Sequence, residues 1–497
     1  MAFTVESLTY FLGAAILLVF ILHSLKKKRR KLAPGPLGWP IIGNLLQLGD
    51  RPHQSLFLLA QKYGPLMTLK LGSRTVLVVS SPSMARQVLK NNEENFSNRT
   101  VTKAVERIAY QGTTLVWSPY GPRWRFLRKI CNAEMFSAKR VDAVEHLRRE
   151  LVLTTMESIY EESKQGKAVD IRAKAFMISI SLVGNMVCGR DVLQPGSKEA
   201  MEFKDMVCQV FDVFSTPNLA DLFPFLKRFD LQGLNAKIQS LAHSFDCMLH
   251  QLIEDRLAMN SSSDVQSNDF LEVLLNLQNR DTDFTLQDVK GLLSDMFIAG
   301  AETTPGAIEW VMTELLRNPQ TMKRVQHELD EVVGEGRRME EADIAKLPYL
   351  QAVVKETFRL HPPLPFLERR AAKECEIGGY VVPANTQVLV NVWGIGRDAK
   401  VWESPLEFSP DRFMDSDIDY RGQYFEMLAF GSGRRMCAGL PLAHKTVHLV
   451  VGSLLQSFDW SSSDIVIDMT DKFGTTLHKA LPLMPVPTPR AAMKTLS

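Results

Sequence analysis

The sequence predicts a mainly α-helical protein with small β-sheets, a single large domain behind an N-terminal transmembrane anchor helix. Three observations predict it. Helical apolar periods run through most of the chain, while strand-like runs are short and few. Only one stretch has the composition of a linker, and an uncharged apolar run stands near the start. The proportions agree, since 45% hydrophobic and 23% charged residues over 497 positions exclude disordered, collagenous and coiled-coil chains. With 58 Lys and Arg against 56 Asp and Glu, the net charge of +2 is too balanced for a nucleic-acid binder.

Leu8 to Leu25 holds 18 residues without a formal charge, about 27 Å of helix and enough for a thin bilayer. The basic block Lys26 to Lys31 (KKKRRK) follows it, with only Glu6 before it, so the positive-inside rule places the bulk of the chain in the cytosol. A cleaved leader would carry its charge ahead of the apolar run, so residues 1–31 are expected to stay as an anchor. Ala33 to Asn44 (APGPLGWPIIGN) contains Pro34, Pro36 and Pro40. Each proline fixes φ and forbids helix, which makes residues 32–44 a stiff hinge and leaves 45–497 as the large domain.

Within that domain, strands are expected at Leu66 to Leu71, Thr75 to Val79 and Gln387 to Asn391, and a polar loop at Asn260 to Asn268. The longest helix is expected from Thr285 to Asn318. Thr285 and Asp288 form a variant capping box, and Pro319 ends it. At roughly 48 Å such a helix must cross the whole domain. Gly300 weakens it by about 1 kcal/mol relative to alanine, and Pro305 is expected to break it further. Another helix should start at Pro348 and stop before Pro362, and a third should cover Leu440 to Phe458.

The chemistry concentrates in Phe430 to Gly439, FGSGRRMCAG. Gly431, Gly433 and Gly439 surround Cys437, permitting tight turns and the close approach of a flat ligand while freeing amide N–H groups to point at the sulfur. Arg434 and Arg435 add charge that favours a thiolate, and the helix starting at Leu440 brings its N-terminus to the sulfur. A thiolate held that way is a nucleophile or an iron ligand, and a buried inert cysteine is an equally weighted alternative. The other five cysteines are scattered without a CxxC, which argues against a disulfide scaffold and for a reducing compartment.

FGSGRRMCAG resembles the haem-binding loop of the cytochrome P450 haem-thiolate monooxygenases, F-x-x-G-x-R-x-C-x-G, with Phe430, Gly433, Arg435, Cys437 and Gly439 at the fixed positions. The resemblance implies the cytochrome P450 fold, one catalytic domain, and haem b with Cys437 as the axial iron ligand. Glu356 and Arg359 resemble the family's E-x-x-R, which shares a helix face and pairs with Arg412 of Pro410-Asp411-Arg412-Phe413, where Asp411 replaces a glutamate. Ala299 to Thr304 (AGAETT) resembles the oxygen-activation motif, implying Thr303 and Glu302 as the alcohol and acid that deliver protons. Otherwise Gly300 merely lets another helix pack closely and Thr303 bonds back to its own helix. Trp124 and Arg128 match W-x-x-x-R, the propionate partners, joined by Arg435 and Arg369. Two departures stand out: Glu368 precedes Arg369 where proline is common, and Ala429 replaces the proline before Phe430.

The texture resembles plant microsomal A-type members, which implies an endoplasmic reticulum membrane protein hydroxylating a terpenoid, with flavonoid, phenolic or alkaloid hydroxylation as alternatives. By the same analogy the substrate pocket is drawn from the stretch between Arg99 and Leu115, from Phe211 to Leu231, and from Phe297, Ile298 and Ala301. Leu364, Phe366, Leu367 and Thr476 complete it. No G-x-G-x-x-G is present. NADPH is therefore expected to act only through NADPH-cytochrome P450 reductase, with cytochrome b5 as a further donor, docking on Arg123, Arg125, Lys129, Arg434 and Lys445. His444 and His448 share a helix face but lack a third ligand, so no metal is expected there. A haem-thiolate isomerase or dehydratase, and a non-catalytic haem carrier, are the competing classes; neither needs the acid–alcohol pair.

Overall fold

The computed structural model describes residues 31–190, 197–226, 228–262, 269–462 and 466–496. The expected anchor at Leu8 to Leu25 and the first five residues of the basic block lie outside them. The helices that build the site are α1 (Pro122–Glu134), α2 (Ile171–Cys188), α3 (Leu234–Ser262), α4 (Leu286–Arg317), α5 (Pro319–Val332), α6 (Pro348–Leu360) and α7 (Leu440–Ser457). The main sheet joins β1 (Leu66–Leu71), β2 (Arg74–Val79), β3 (Phe366–Arg370) and β4 (Gln387–Asn391) in the order β1-β2-β4-β3. β1 and β2 form an antiparallel hairpin; β2 runs parallel to β4, and β3 antiparallel to it with Leu367 opposite Val390.

α4 is the axis of the domain. Asp288 Oδ2 accepts the backbone N–H and the hydroxyl of Thr285, both at 2.8 Å, which starts the helix where the sequence placed it. It does not break at Pro305. The proline removes one ladder bond, but Pro305 to Leu316 are buried on all sides, and that packing holds the helix through the gap. α2 lies along α4 at close range because Gly300 has no side chain: a Cβ there would stand 2.6 Å from Val183 Cγ2. Among the described residues α2 is also the one helix long and apolar enough to cross a membrane, yet most of it is buried inside the domain as core.

Two apolar cores flank the axis. One joins α4, α6 and α7 through Ile308, Val311, Leu350, Val354 and Leu454; the other joins α1, α2 and α4 through Leu127, Ile180, Leu292 and Phe297. β3 was not anticipated as a strand. Its sequence FLERR carries three charges in five residues, and it pairs because β4 offers an apolar edge beside it. No disulfide forms, and all six cysteines are free.

Candidate active site

Cys437 sits between two tight turns and the first turn of α7. Its backbone N–H donates to Phe430 O at 3.0 Å, which closes the loop on itself. Gly433 makes the second turn possible, with φ +71° and a virtual Cβ 2.2 Å from Leu89 O, so any side chain there collides with backbone. Phe430 packs edge-on against Phe358 of α6 at 5.3 Å, tying the loop to the core. Cys437 is exposed rather than packed into the core. It faces an interior slot of about 100 Å³, bounded by Cys437, Phe430 and Gly439 on one side and by Ala299, Gly300 and Thr303 on the other.

Burial pushes the Cys437 thiol up, while the N–H groups of Gly439 and Leu440, with Arg128 and Arg99, pull it back. The sequence assigned that help to Arg434 and Arg435, which corrects to other groups. Arg434 turns outward to Glu93 and Glu94, at 2.9 and 3.0 Å. Arg435 is buried and donates to the carbonyls of Ser97, Leu115 and Ser118.

Arg435 belongs to a cluster. Burial first, then the charges of Arg99 and Arg128, bring its guanidinium down to about 9. Arg369, 2% exposed, is lowered by burial and then by Arg99 and Arg435. Arg99 and Arg128 are lowered by burial too, with Cys437 counted among their opposing charges. Four guanidiniums thus converge beside the slot, and the carboxylates facing them are Asp295 and Glu368. Such an excess of buried positive charge is costly without anions. A flat group with two carboxylates and an iron for the sulfur would complete both the charge and the donor set, so the residues present fit the haem that the sequence implies. Trp124 does not point a free N–H at that group; its Nε1 donates to Leu115 O at 3.1 Å while Arg435 lies 4.6 Å over its ring. Arg99 is the member that sequence reasoning missed, because a lone loop arginine carries no spacing signal.

Above the slot, Ala299 and Thr303 border both it and a larger cavity of about 280 Å³. Thr303 donates its hydroxyl to Ala299 O at 3.0 Å. Glu302 lies one residue round the helix, 4% exposed, ion-paired with Arg172 of α2 and 3.8 Å from His478. The two members of the expected pair therefore face different ways, as neighbours about 100° apart on a helix must. The same rotation sorts the expected pocket residues. Ile298 lines the cavity, together with Asp295, Leu364, Phe366, Leu367 and Thr476. Phe297 and Ala301 do not: both are buried in the core beside Phe203 and α2, on the opposite face of α4. Phe211, Phe214 and Phe473 add aromatic wall.

Beneath the cysteine, Glu356 accepts from Arg359 at 2.7 and 2.8 Å and from Arg412 at 3.0 Å. Arg359 also donates to the carbonyls of Gly396, Pro405 and Glu407, so all three side chains are satisfied in the core. Asp411 points outward to Arg324 of α5 at 2.7 Å, and Ala429 is buried in the core. The expected basic face shrinks. Arg123 pairs with Asp288, and Lys445 with Asp142 and Glu341, leaving Arg125 and Lys129 exposed on α1. His448 is buried with its Nδ1 donating to His444 O at 2.6 Å, and His444 Nδ1 meets Tyr420 Oη at 2.7 Å. Asn95 is also engaged, accepting from the Lys373 N–H at 2.8 Å and donating to the Lys373 carbonyl at 3.0 Å.

Comparison with known proteins agrees with the geometry. The family profile described as Cytochrome P450 matches residues 33–484. The chain is 45% identical to cytochrome P450 76T24 of Catharanthus roseus, over 93% of this chain and 94% of that one. It is 42% identical to geraniol 8-hydroxylase of Swertia mussotii, over 94% and 96%. It is 40% identical to flavonoid 3'-monooxygenase CYP75B137 of Crocosmia x crocosmiiflora, over 98% and 99%.

Proposed function

This chain belongs to the cytochrome P450 family of monooxygenases, and from that premise we propose that it hydroxylates a small terpenoid at a haem b held by Cys437. The observation that carries the reading is the cavity, about 280 Å³, walled by Trp117, Phe211, Phe214, Ile298, Phe366 and Phe473 and open to Thr303. That largely apolar wall suits a ten-carbon isoprenoid alcohol better than a polyhydroxylated phenolic, whose hydroxyls would leave water there without gaining partners. The relative named geraniol 8-hydroxylase supports the same class.

Bound through Cys437, the haem supplies oxygen activation and the oxidation of a substrate C–H bond. The side chains do the rest. Gly439 and Leu440 hold the sulfur's negative charge with their N–H groups, backed by the N-terminus of α7. Arg99, Arg128, Arg369 and Arg435 would hold the two carboxylates by charge, with Trp124 bracing Arg435. Thr303 keeps a proton on Oγ1 at the boundary of slot and cavity, donated to Ala299 O at rest. Once its pair with Arg172 opens, Glu302 would take a proton from solvent and pass it on to Thr303 through water. The aromatic wall excludes other water.

Electrons come from NADPH through NADPH-cytochrome P450 reductase, with cytochrome b5 as an alternative donor, docking where Arg125 and Lys129 remain exposed. An endoplasmic reticulum membrane location is supported by an apolar surface. Leu37, Trp39 and Ile41 are 94%, 63% and 73% exposed, and Phe225, Phe229 and Leu231 add 69%, 60% and 66%. Both groups adjoin the β1–β2 turn, where Gly72 N–H meets Ile42 O and Ser73 N–H meets Leu222 O.

The test is turnover by the full chain in membranes with the reductase. The expected result is NADPH-dependent hydroxylation of geraniol, with a strongly red-shifted carbon monoxide band that Cys437→Ala abolishes. Product from a flavanone and none from geraniol would overturn the substrate class. Turnover without NADPH would favour an isomerase.

A further inference from the structure

The roof of the cavity is a loop, and its attachment uses a carboxylate that the mechanism above leaves idle. Val116 and Trp117 reach the cavity from the segment between Tyr110 and Ser118, and Ala109 reaches it from just before that segment. That segment begins in strain: Tyr110, Gln111 and Gly112 have φ of 47°, 61° and 75°, three left-handed residues in succession. Strain of this kind persists only where the surroundings hold it. Tyr110 Oη donates to Asp246 Oδ1 of α3 at 2.9 Å, and Lys290 Nζ of α4 holds both oxygens of Asp246 at 2.9 Å. One residue along α4, Gly291 lets Thr114 approach so closely that a Cβ would lie 3.3 Å from Thr114 Cγ2.

The far end of the roof is held by Asp295, 6% exposed and bordering the cavity. Its Oδ2 accepts the Val116 N–H at 2.9 Å. The carbonyl of the same residue accepts from Arg99 Nη1 at 2.8 Å. The Val116 peptide is thus clamped between an anion on the long helix and a cation of the arginine cluster, and Trp117 next to it meets Phe214 edge-on at 5.8 Å.

We propose that Asp295 is the positioning residue that fixes the Val116–Trp117 roof over the cavity and so decides which carbon of the substrate reaches the reacting centre. It acts through the Val116 N–H and not by touching substrate. A buried carboxylate is expensive, and an alanine would leave the Val116 N–H unpaired and the roof held on its carbonyl side alone, by Arg99 at Val116 and Arg435 at Leu115 and Ser118. The inference rests on the reading that this cavity holds the substrate.

The experiment compares Asp295→Asn, which keeps an acceptor oxygen, with Asp295→Ala in the haem-loaded full chain. Both should give a carbon monoxide band of wild-type position and comparable amplitude, showing that the fold survives. In the alanine variant, hydrogen exchange of the peptide covering Val116 and Trp117 should quicken at least tenfold. The ratio of geraniol oxidation products should shift, and the ratio of product to NADPH consumed should fall severalfold. The asparagine variant should recover most of both. Unchanged exchange and unchanged product ratio in Asp295→Ala would overturn the proposal. So would a changed product ratio in both variants with Val116 still protected, because Asp295 would then act on the substrate itself. If the wild-type chain leaves geraniol untouched, the substrate reading fails separately. Exchange, together with the Soret-shift affinity for 4-phenylimidazole, then decides the roof: a weakened affinity in alanine alone supports it, and equal affinities overturn it.

Discussion

The two sides of the slot are held by different physics. On the cysteine side, charged groups lock to one another and to backbone carbonyls: Glu356 to Arg359 and Arg412, Arg359 to three carbonyls, Arg435 to three more. On the cavity side, aromatic rings lean together, and the polar restraints fall on the roof loop: Val116 on Asp295 and Arg99, Leu115 and Ser118 on Arg435, Tyr110 on Asp246. Hydrogen bonds among charges are directional, so the cysteine side has one geometry. Apolar contact is not, so the cavity side tolerates change in shape. A fixed chemistry and an adjustable specificity follow from that division.

The largest effect should come from breaking the cysteine side. Arg359→Ala leaves Glu356 in the core without its bidentate partner and three carbonyls without a donor. Breaking a buried pair by removing one partner costs about 3–5 kcal/mol, a large share of the stability of an ordinary domain. The expected outcome is little or no haem-loaded protein, read as loss of the carbon monoxide band and of soluble yield. Full recovery of the band in Arg359→Ala would dissolve the contrast drawn above.

A smaller effect tests the junction between the sides. Gly300→Ala puts a methyl 2.6 Å from Val183 Cγ2, and overpacking of this kind costs about 1–3 kcal/mol. Val183→Ala in the same chain should restore most of the melting temperature, since it removes the colliding methyl. Failure of that rescue would return the demand for glycine to the slot instead of the helix contact.

These contrasts also mark what could be read from the chain. The pairing of Glu356 with Arg359 was legible because it needs fixed residue types at short spacing, that of Arg412 through the motif around it, and β1, β4 and α4 because their periods and stops are strong. The cavity wall was legible only in part. Phe297 and Ala301 were expected in it, but the helical phase that places Ile298 and Thr303 on the cavity turns both into the core. Phase relative to a distant partner is a tertiary fact, and so are the Glu302 pair with Arg172 and the turning of Arg434 and Lys445 to acidic neighbours. None has a local signal. Ala429 was visible as a departure, and its buried site is explained by packing alone.

Acid should find a weak point on the cysteine side. His448 of α7 is buried, and burial followed by the His444 charge brings its pKa down to about 3. An unfolded histidine titrates near 6.5. The stability that depends on a neutral His448 is therefore whole above pH 6.5 and is lost as pH falls from there toward 3, by about 1.4 kcal/mol per unit. Urea unfolding of His448→Leu between pH 6.5 and 5 should show a slope smaller by close to one proton, whatever its absolute stability. An unchanged slope would place the acid sensitivity elsewhere.

The smallest effect belongs to the departure at Asp411. Arg412 next to it reaches Glu356, whereas the Asp411 carboxylate leaves the core to meet Arg324, with the two side chains 58% and 49% exposed. Exposed pairs contribute roughly 0–1 kcal/mol and are screened by salt. Asp411→Asn should therefore move the melting temperature by no more than a few degrees and leave the carbon monoxide band intact, while Arg412→Ala lowers both. The aspartate has only to reach Arg324 on a neighbouring helix, which it does directly at the surface. Parity between Asp411→Asn and Arg412→Ala would show instead that the outward pair carries load that its exposure denies.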